Sequence, residues 1–241
     1  MEILKKLAAK SSALWEHPTV SIAFYGDSVT QGCFEIFKRE DGCVETEFRQ
    51  HEGYPHKLAK ILTQLYPMTP VQVINAGLSG DNAAHAFKRL ERDVLRFSPD
   101  LTVVCFGLND CMAGMDYLPT YTEALGKIFD ALRANGSEVI FMTPNRMNDT
   151  VSCKLTVDWM QEYAAKTSKV QNDGIMDAFM EAARAVCREK NVPLCDCYAI
   201  WTKFYENGVN IAEMMANKTN HPLEQMHWVF ATELARTIFE N

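Results

Sequence analysis

Short apolar runs alternate with stretches of helical periodicity along most of the chain. The runs cover residues 20–25, 71–75, 101–106, 138–142 and 192–197, and each has the length and composition of a buried strand. The stretches at 54–66, 83–97 and 120–135 have helix length, and the second presents one apolar face made of Phe87, Leu90, Val94 and Phe97. This alternation predicts an α/β fold with a five-stranded parallel sheet covered by helices on both faces.

Further helices are expected outside this central alternation. Residues 1–16 form an amphipathic pattern rather than a signal sequence, and 155–190 indicates two helices that meet near Asn172-Asp173-Gly174. Residues 223–239 predict a closing helix. No linker composition divides the chain, so residues 1–241 are expected to form a single domain.

One segment departs from this alternation of predicted strands and helices. Two alternating runs within 33–49 flank Asp41-Gly42, which is a strong hairpin signal. Because this hairpin is inserted directly after the first strand and its turn, it is expected to border any site at that turn. A hairpin tip without a role is the alternative.

Composition and charge narrow the class of protein. The chain has 241 residues, 47% of them apolar, and a net charge of −7, with no basic cluster, so no nucleic-acid partner is expected. No apolar stretch reaches the length of a membrane span. The eight cysteines include no C-x-x-C pair, which favours free thiols in a reducing cytoplasm. Cys195 and Cys197 alternate along a predicted strand and should face opposite ways, so no shared metal site is expected.

The turn after the first strand presents a serine. Gly26 turns the chain and Ser28 falls where the next helix should begin, a place at which backbone N–H groups favour a developing negative charge. An ordinary turn or helix cap explains Gly26-Asp27-Ser28 equally well from this stretch alone.

Polar clusters also follow the other strands. Asn75-Ala-Gly77-Leu-Ser-Gly80-Asp81 follows the second, Gly107-Leu-Asn109-Asp110 the third and Thr143-Pro144-Asn145-Arg146 the fourth, while 217–222 precedes the closing helix. In such sheets the ligand crevice lies at the carboxyl ends of the strands. Serine hydrolysis of an acyl bond needs a nucleophile, a base and oxyanion donors, which Ser28, His221, the Gly80 N–H and the Asn109 amide could supply.

These four blocks, in this order, resemble the SGNH (GDSL-type) hydrolase family, which is named for its Ser, Gly, Asn and His. The resemblance spans nearly the whole chain and implies a three-layer α/β/α sandwich of flavodoxin-like topology. It implies Ser28 as nucleophile, His221 as general base, and an oxyanion hole formed by the Ser28 N–H, the Gly80 N–H and the Asn109 amide. It implies no metal or organic cofactor.

The chain departs from the family at one position. The family usually has an aspartate three residues before its histidine, and here that position is Lys218, which offers no acceptor. The candidates for orienting His221 are the side-chain oxygens of Asn217 and Asn220, a backbone carbonyl of the 216–220 loop, and the more distant Asp196. A carbonyl is favoured, because the loop must bring its backbone close to His221.

Other functions fit less well. The chain lacks the G-x-G-x-x-G of dinucleotide-binding proteins and the G-x-S-x-G of α/β-hydrolases. An inactive ligand-binding or carbohydrate-binding descendant of the fold is the main rival, although the four catalytic blocks together argue against it. Lysophospholipase and thioesterase activities occur in the family, but small soluble esters, among them O-acetylated sugars, are the favoured substrates. A homo-oligomer is left open.

Overall fold

Seven strands form two sheets in the computed structural model, which describes residues 1–241. The larger sheet is parallel and contains β1 (Val20–Gly26), β4 (Val71–Asn75), β5 (Leu101–Cys105), β6 (Glu138–Met142) and β7 (Leu194–Cys195). Their order across the sheet is β4-β1-β5-β6-β7. The predicted five-stranded parallel sheet is therefore confirmed.

Helices cover the sheet and fill most of the remaining chain. They are α1 (Glu2–Ser12), α2 (Ser28–Gln31), α3 (Tyr54–Leu65), α4 (Ala83–Asp93), α5 (Leu118–Ala134), α6 (Asp158–Asn172), α7 (Ile175–Lys190), α8 (Cys197–Glu206) and α9 (His227–Glu240). The break between α6 and α7 at Asp173-Gly174 is as predicted. None of the helices is long and apolar enough to cross a membrane.

The inserted hairpin is also confirmed. Strands β2 (Cys33–Lys38) and β3 (Val44–Phe48) pair antiparallel and form a sheet of their own. The register changes near the base, since Cys33 lies opposite Phe48 and Glu35 lies opposite Glu47. Between these two pairs β2 advances by two residues and β3 by only one, so Phe34 is the extra residue of a β-bulge.

Two sequence-based expectations were wrong. The last strand ends at Cys195, and Asp196 caps α8 by accepting from the Ala199 N–H, so Cys195 and Cys197 do not face opposite ways. Their sulfur atoms lie 3.6 Å apart. In α4 the expected inner face is only half right, because Phe87 is exposed whereas Leu90 and Arg89 are buried. An apolar periodicity cannot indicate a buried arginine.

Candidate active site

Strand β1 is an inner strand of the sheet, and its end defines the site. It pairs with β4 on one side and β5 on the other, with Phe24 opposite Asn75 and Gly26 opposite Cys105. The connections from these strands leave in different directions at this point, which is where doubly wound sheets open a crevice. Gly26 is required there, because a Cβ at this position would lie 2.1 Å from Thr30 Oγ1 and 2.7 Å from the Cys105 carbonyl oxygen.

Ser28 is presented by the turn that follows β1. Asp27 caps the single helical turn α2 by accepting from the Val29 N–H at 3.0 Å, and Ser28 is its first residue. The N–H of a first helical residue has no partner within its helix. Ser28 is largely buried, with 5% of its surface exposed.

His221 lies directly against Ser28. Its Nε2 is 2.9 Å from Ser28 Oγ, although 193 positions separate the two residues in the sequence. Burial lowers the pKa of His221 to about 4, with a small opposing effect from the backbone of Phe34. The imidazole is therefore neutral near pH 7, and a neutral imidazole can accept the serine proton.

The other two expected donors, the Gly80 N–H and the Asn109 amide, come from the segments that follow β4 and β5. Gly80 has φ +79°, a conformation that favours glycine, and its N–H donates to no carbonyl in the surrounding turn. Asn109 Nδ2 donates to the Asp81 carbonyl oxygen at 2.8 Å and lies 3.5 Å from Asp27 Oδ2. The shorter of these two hydrogen bonds fixes the side chain, and the longer and weaker one leaves the amide able to turn to another acceptor.

Asp27 and Asp110 are buried carboxyl groups beneath these donors. Burial raises the pKa of each to about 7. Asp110 Oδ1 accepts from the Ala83 N–H at 3.0 Å and so anchors the start of α4.

An arginine that the sequence did not single out joins the first two blocks. Arg89 donates to Asp81 Oδ2 at 2.6 Å, to the Ala76 carbonyl oxygen at 2.8 Å and to the Gly26 carbonyl oxygen at 3.1 Å. Its side chain is 6% exposed, and Asp81 is fully covered. This buried ion pair fixes the segment that carries Gly80 relative to the end of β1.

The loop before His221 is held by asparagines. Asn217 Oδ1 accepts from the N–H groups of Thr219, Asn220 and His221. Asn145, from the polar cluster after β6, donates to the Asn220 carbonyl oxygen at 3.0 Å. That cluster therefore supports the histidine loop, a role that its position on the rim did not specify.

Lys218 provides no acceptor for His221. The side-chain oxygens of Asn217, described above, and of Asn220 and Asp196 are already engaged by other donors. Lys218 has φ +60° and its Nζ lies 3.4 Å from Glu213 Oε2. The Asn220 side-chain oxygen accepts from Asn217 and Thr219, and Asp196 is bound by Arg184 and Thr143.

A groove of about 350 Å³ runs beside the histidine loop. Its walls come from the hairpin, from the start of α6 with the segment before it, and from the 216–218 loop. They include Ile36, Phe37, Val157, Trp159 and Lys218. A larger cavity of about 680 Å³ lies at the starts of β6 and β7, the opposite edge from Ser28, and so does not belong to this site.

The placement of the cysteines and of the possible metal ligands in the fold indicates whether they form further sites. All eight cysteines are free thiols, and six of them are buried. No group of three or more His, Cys, Asp or Glu side chains is placed to hold a metal ion.

A serine hydrogen-bonded to a histidine at the switch point of a parallel α/β sheet is the arrangement of a serine hydrolase. A family model described as GDSL-like Lipase/Acylhydrolase matches residues 24–229. The chain therefore belongs to the GDSL-like lipase/acylhydrolase family.

The individual proteins that this chain resembles have low sequence identity to it. An acetylxylan esterase of Geobacillus stearothermophilus is 26% identical over 132 residues, which make up 51% of this chain and 58% of that protein. Among solved structures, Axe2, an acetylxylan esterase from Geobacillus stearothermophilus, superposes with a TM-score of 0.66 at 20% identity over 91% of this chain and 94% of that chain. LAE5, an alpha/beta hydrolase enzyme from the metagenome of Lake Arreo, also gives a TM-score of 0.66 at 20% identity, over 92% and 96% of the two chains. These superpositions confirm the fold.

Proposed function

We propose that the chain is a serine esterase that removes small acyl groups, acetyl in particular, from soluble esters such as O-acetylated sugars. The observation that carries this is the 2.9 Å contact between Ser28 Oγ and His221 Nε2 at the carboxyl end of β1. A structure that had lost catalysis would not need to keep this pair buried and aligned.

Each residue then has a defined task in the reaction. Ser28 Oγ attacks the acyl carbon while His221 Nε2 takes its proton. The carbonyl oxygen becomes an oxyanion that accepts from the Ser28 N–H, the Gly80 N–H and the Asn109 amide. Collapse of this intermediate breaks the bond to the alcohol, which leaves with the proton from His221. Water, deprotonated by His221, then attacks the acyl-enzyme and releases the acid.

The choice of an acetylated sugar rests on the relatives and on the groove. Axe2 is named as an acetylxylan esterase, and variants of it described as catalytic mutants replace a serine, a histidine and an aspartate three residues before that histidine. We assign the alcohol portion of the substrate to the groove between the hairpin and α6, where Phe37 and Trp159 supply aromatic surface and lysines supply polar groups.

The free thiols favour a reducing compartment such as the cytoplasm.

A fluorophosphonate probe and a set of esters test the proposal. The wild-type chain should label on Ser28 and should hydrolyse p-nitrophenyl acetate faster than longer acyl esters, and it should release acetate from acetylated xylo-oligosaccharides. Ser28→Ala should abolish labelling and lower kcat by several orders of magnitude. Ser12→Ala, on an exposed position of α1, is the matched serine control. Unchanged hydrolysis by Ser28→Ala would refute the proposal, as would a wild-type chain that neither labels nor hydrolyses any of these esters.

A further inference from the structure

His221 lacks the carboxylate that normally orients a catalytic histidine, yet its ring must be held. Nε2 faces Ser28, so orientation depends on Nδ1, which is buried and makes no well-aligned hydrogen bond. A proton on Nδ1 leaves the Nε2 lone pair free to act as base, whereas a proton on Nε2 would block it. Some acceptor beside Nδ1 is therefore needed.

The loop that carries His221 has several of its acceptors already engaged. Besides the side-chain oxygens already engaged, the Thr219 carbonyl oxygen accepts from the Asn148 N–H at 2.8 Å and the Asn220 carbonyl oxygen accepts from Asn145. The carbonyl oxygens of Ala216, Asn217 and Lys218 accept no hydrogen bond and remain the candidates of the 216–220 loop.

The β-bulge at Phe34 supplies an acceptor from another part of the chain. An extra residue in a strand is left out of the ladder, and bulges commonly redirect groups toward a neighbouring site. The backbone of Phe34 lies beside the His221 ring and raises the pKa of the imidazole, the effect expected of a carbonyl oxygen. Geometry supports this placement, because β2 starts directly after Gly32, whose N–H donates to the Ser28 carbonyl oxygen at 3.0 Å, and Glu35 and Ile36 line one groove with Ala216 and Asn217. The base of β2 therefore lies beside both the Ser28 turn and the loop that carries His221.

The Phe34 side chain fixes the bulge. It is fully buried, with its ring centroid 5.2 Å from that of His227 and 4.2 Å from the guanidinium carbon of Arg49. Arg49 in turn donates its N–H to the Gly32 carbonyl oxygen at 2.8 Å. Both ends of the bulge are therefore attached to the folded body rather than to the exposed hairpin tip.

We propose that the main-chain carbonyl oxygen of Phe34, released from the ladder by the bulge, orients His221 in place of the absent carboxylate. Phe34 is then a positioning residue, and the inference rests on the proposed esterase function. A neutral acceptor selects the Nδ1–H tautomer but adds no negative charge to stabilise the imidazolium. The hairpin is thus part of the catalytic apparatus as well as a wall of the groove.

Replacing the Phe34–Glu35 peptide bond by an ester tests the carbonyl directly, because an ester carbonyl is a weaker acceptor than an amide. The exchange is made by incorporating the α-hydroxy acid analogue of Glu35. The same exchange at Ile36 weakens the Glu35 carbonyl instead and removes one N–H from the same strand, so it is the matched control. We expect the first ester to lower kcat about tenfold with KM unchanged and the second to have little effect.

Lys218→Asp provides the rescue. Introduced into the Phe34–Glu35 ester protein, it should restore kcat and raise the pH of the acidic limb of kcat/KM, because a carboxylate stabilises the imidazolium. Equal losses in the two ester proteins, or no loss in either, would overturn the inference. So would a loss at the first ester that Lys218→Asp leaves unchanged.

A measurement independent of activity separates this inference from the proposed function. The ¹⁵N chemical shifts of His221 in the wild-type chain should show a neutral ring with the proton on Nδ1, and that proton signal should move in the Phe34–Glu35 ester protein only. A proton on Nε2 would overturn the positioning role even in an active esterase. The expected shifts in a chain without esterase activity would leave the positioning role intact and refute the proposed function alone.

Discussion

Arg89 Nη2 donates to the carbonyl oxygen of Gly26 at 3.1 Å, which ties α4 to the end of β1 at the turn that presents Ser28. The same guanidinium pairs with buried Asp81, the neighbour of Gly80. One side chain therefore sets the distance between the proposed nucleophile and a proposed oxyanion donor.

Replacement of Arg89 should lower the free energy of unfolding by much more than the loss of an exposed charge would. Arg89→Leu removes the buried cation that pairs with Asp81 and leaves this carboxylate only the exposed His85 ring as an ionisable partner, so the free energy of unfolding should fall by about 3–5 kcal/mol in urea titrations. Arg92→Leu, which removes an exposed partner of Asp93, is the control and should change it by less than about 0.5 kcal/mol. Similar losses in the two variants would mean that the Arg89 network does not organise the site.

The Asn109 amide should act in the transition state. Asn109→Ala should lower kcat by roughly 10² to 10³ with little change in KM, the effect of removing one oxyanion donor. Thermal unfolding of the same variant is the necessary control, since Asn109 also donates to the Asp81 carbonyl oxygen. A large loss of stability with a proportional loss of activity would identify Asn109 as a structural residue instead.

The sequence predicted the sheet, the hairpin and the order of the rim clusters because these follow from local periodicity and from the rule that parallel strands end on one edge. It did not predict Arg89, whose partners Gly26 and Ala76 come from two other strand ends. Phe34 was equally hidden, because its proposed contribution is a main-chain carbonyl and depends on a one-residue register shift. The start of helix α8 was missed because its cap Asp196 and its first residue Cys197 were assigned to the predicted strand 192–197.

Activity should persist to unusually low pH. His221 acts as base only when neutral, and burial lowers its pKa to about 4. A protonated fraction appears only as the pH falls toward that value, so the acidic limb of kcat/KM should lie near pH 4 rather than near the ordinary histidine pKa of about 6.5. Tryptophan fluorescence across the same pH range controls for unfolding. A limb near pH 6 to 7 in a folded enzyme would show that a charge stabilises the imidazolium.

The groove should contribute more to the binding of esters with a large alcohol portion than to the binding of small esters. Trp159→Ala and Phe37→Ala remove aromatic contact surface, so KM for acetylated oligosaccharides should rise about tenfold, or ~1.4 kcal/mol, while p-nitrophenyl acetate is unaffected. Trp15→Ala is the control, because Trp15 is fully exposed and remote from the groove.

The tip of the hairpin can be tested apart from its base. Shortening residues 39–43 to a tight turn leaves the Phe34 bulge intact and should change substrate preference without lowering the rate on p-nitrophenyl acetate. An unchanged substrate profile with an altered association state would instead make the tip an oligomer contact.

Asn217 should be the most sensitive residue of the histidine loop. Its side-chain oxygen accepts from three N–H groups, including that of His221, and Asn217→Ala would leave these donors buried and unsatisfied. We expect a loss of at least about 2 kcal/mol in the free energy of unfolding and a fall in kcat, because the loop no longer fixes His221. Asn220→Ala removes an acceptor for only two groups and should cost less.

Asn217→Asp separates the acceptor from the amide. An aspartate keeps an oxygen for the three N–H groups but places its second oxygen against Asn220 Oδ1, to which the Asn217 amide now donates at 3.0 Å. This variant should therefore recover part of the stability and most of the kcat lost in Asn217→Ala. Equal kinetics in the alanine and aspartate variants, measured with both proteins folded, would show that the loop positions His221 without the Asn217 oxygen.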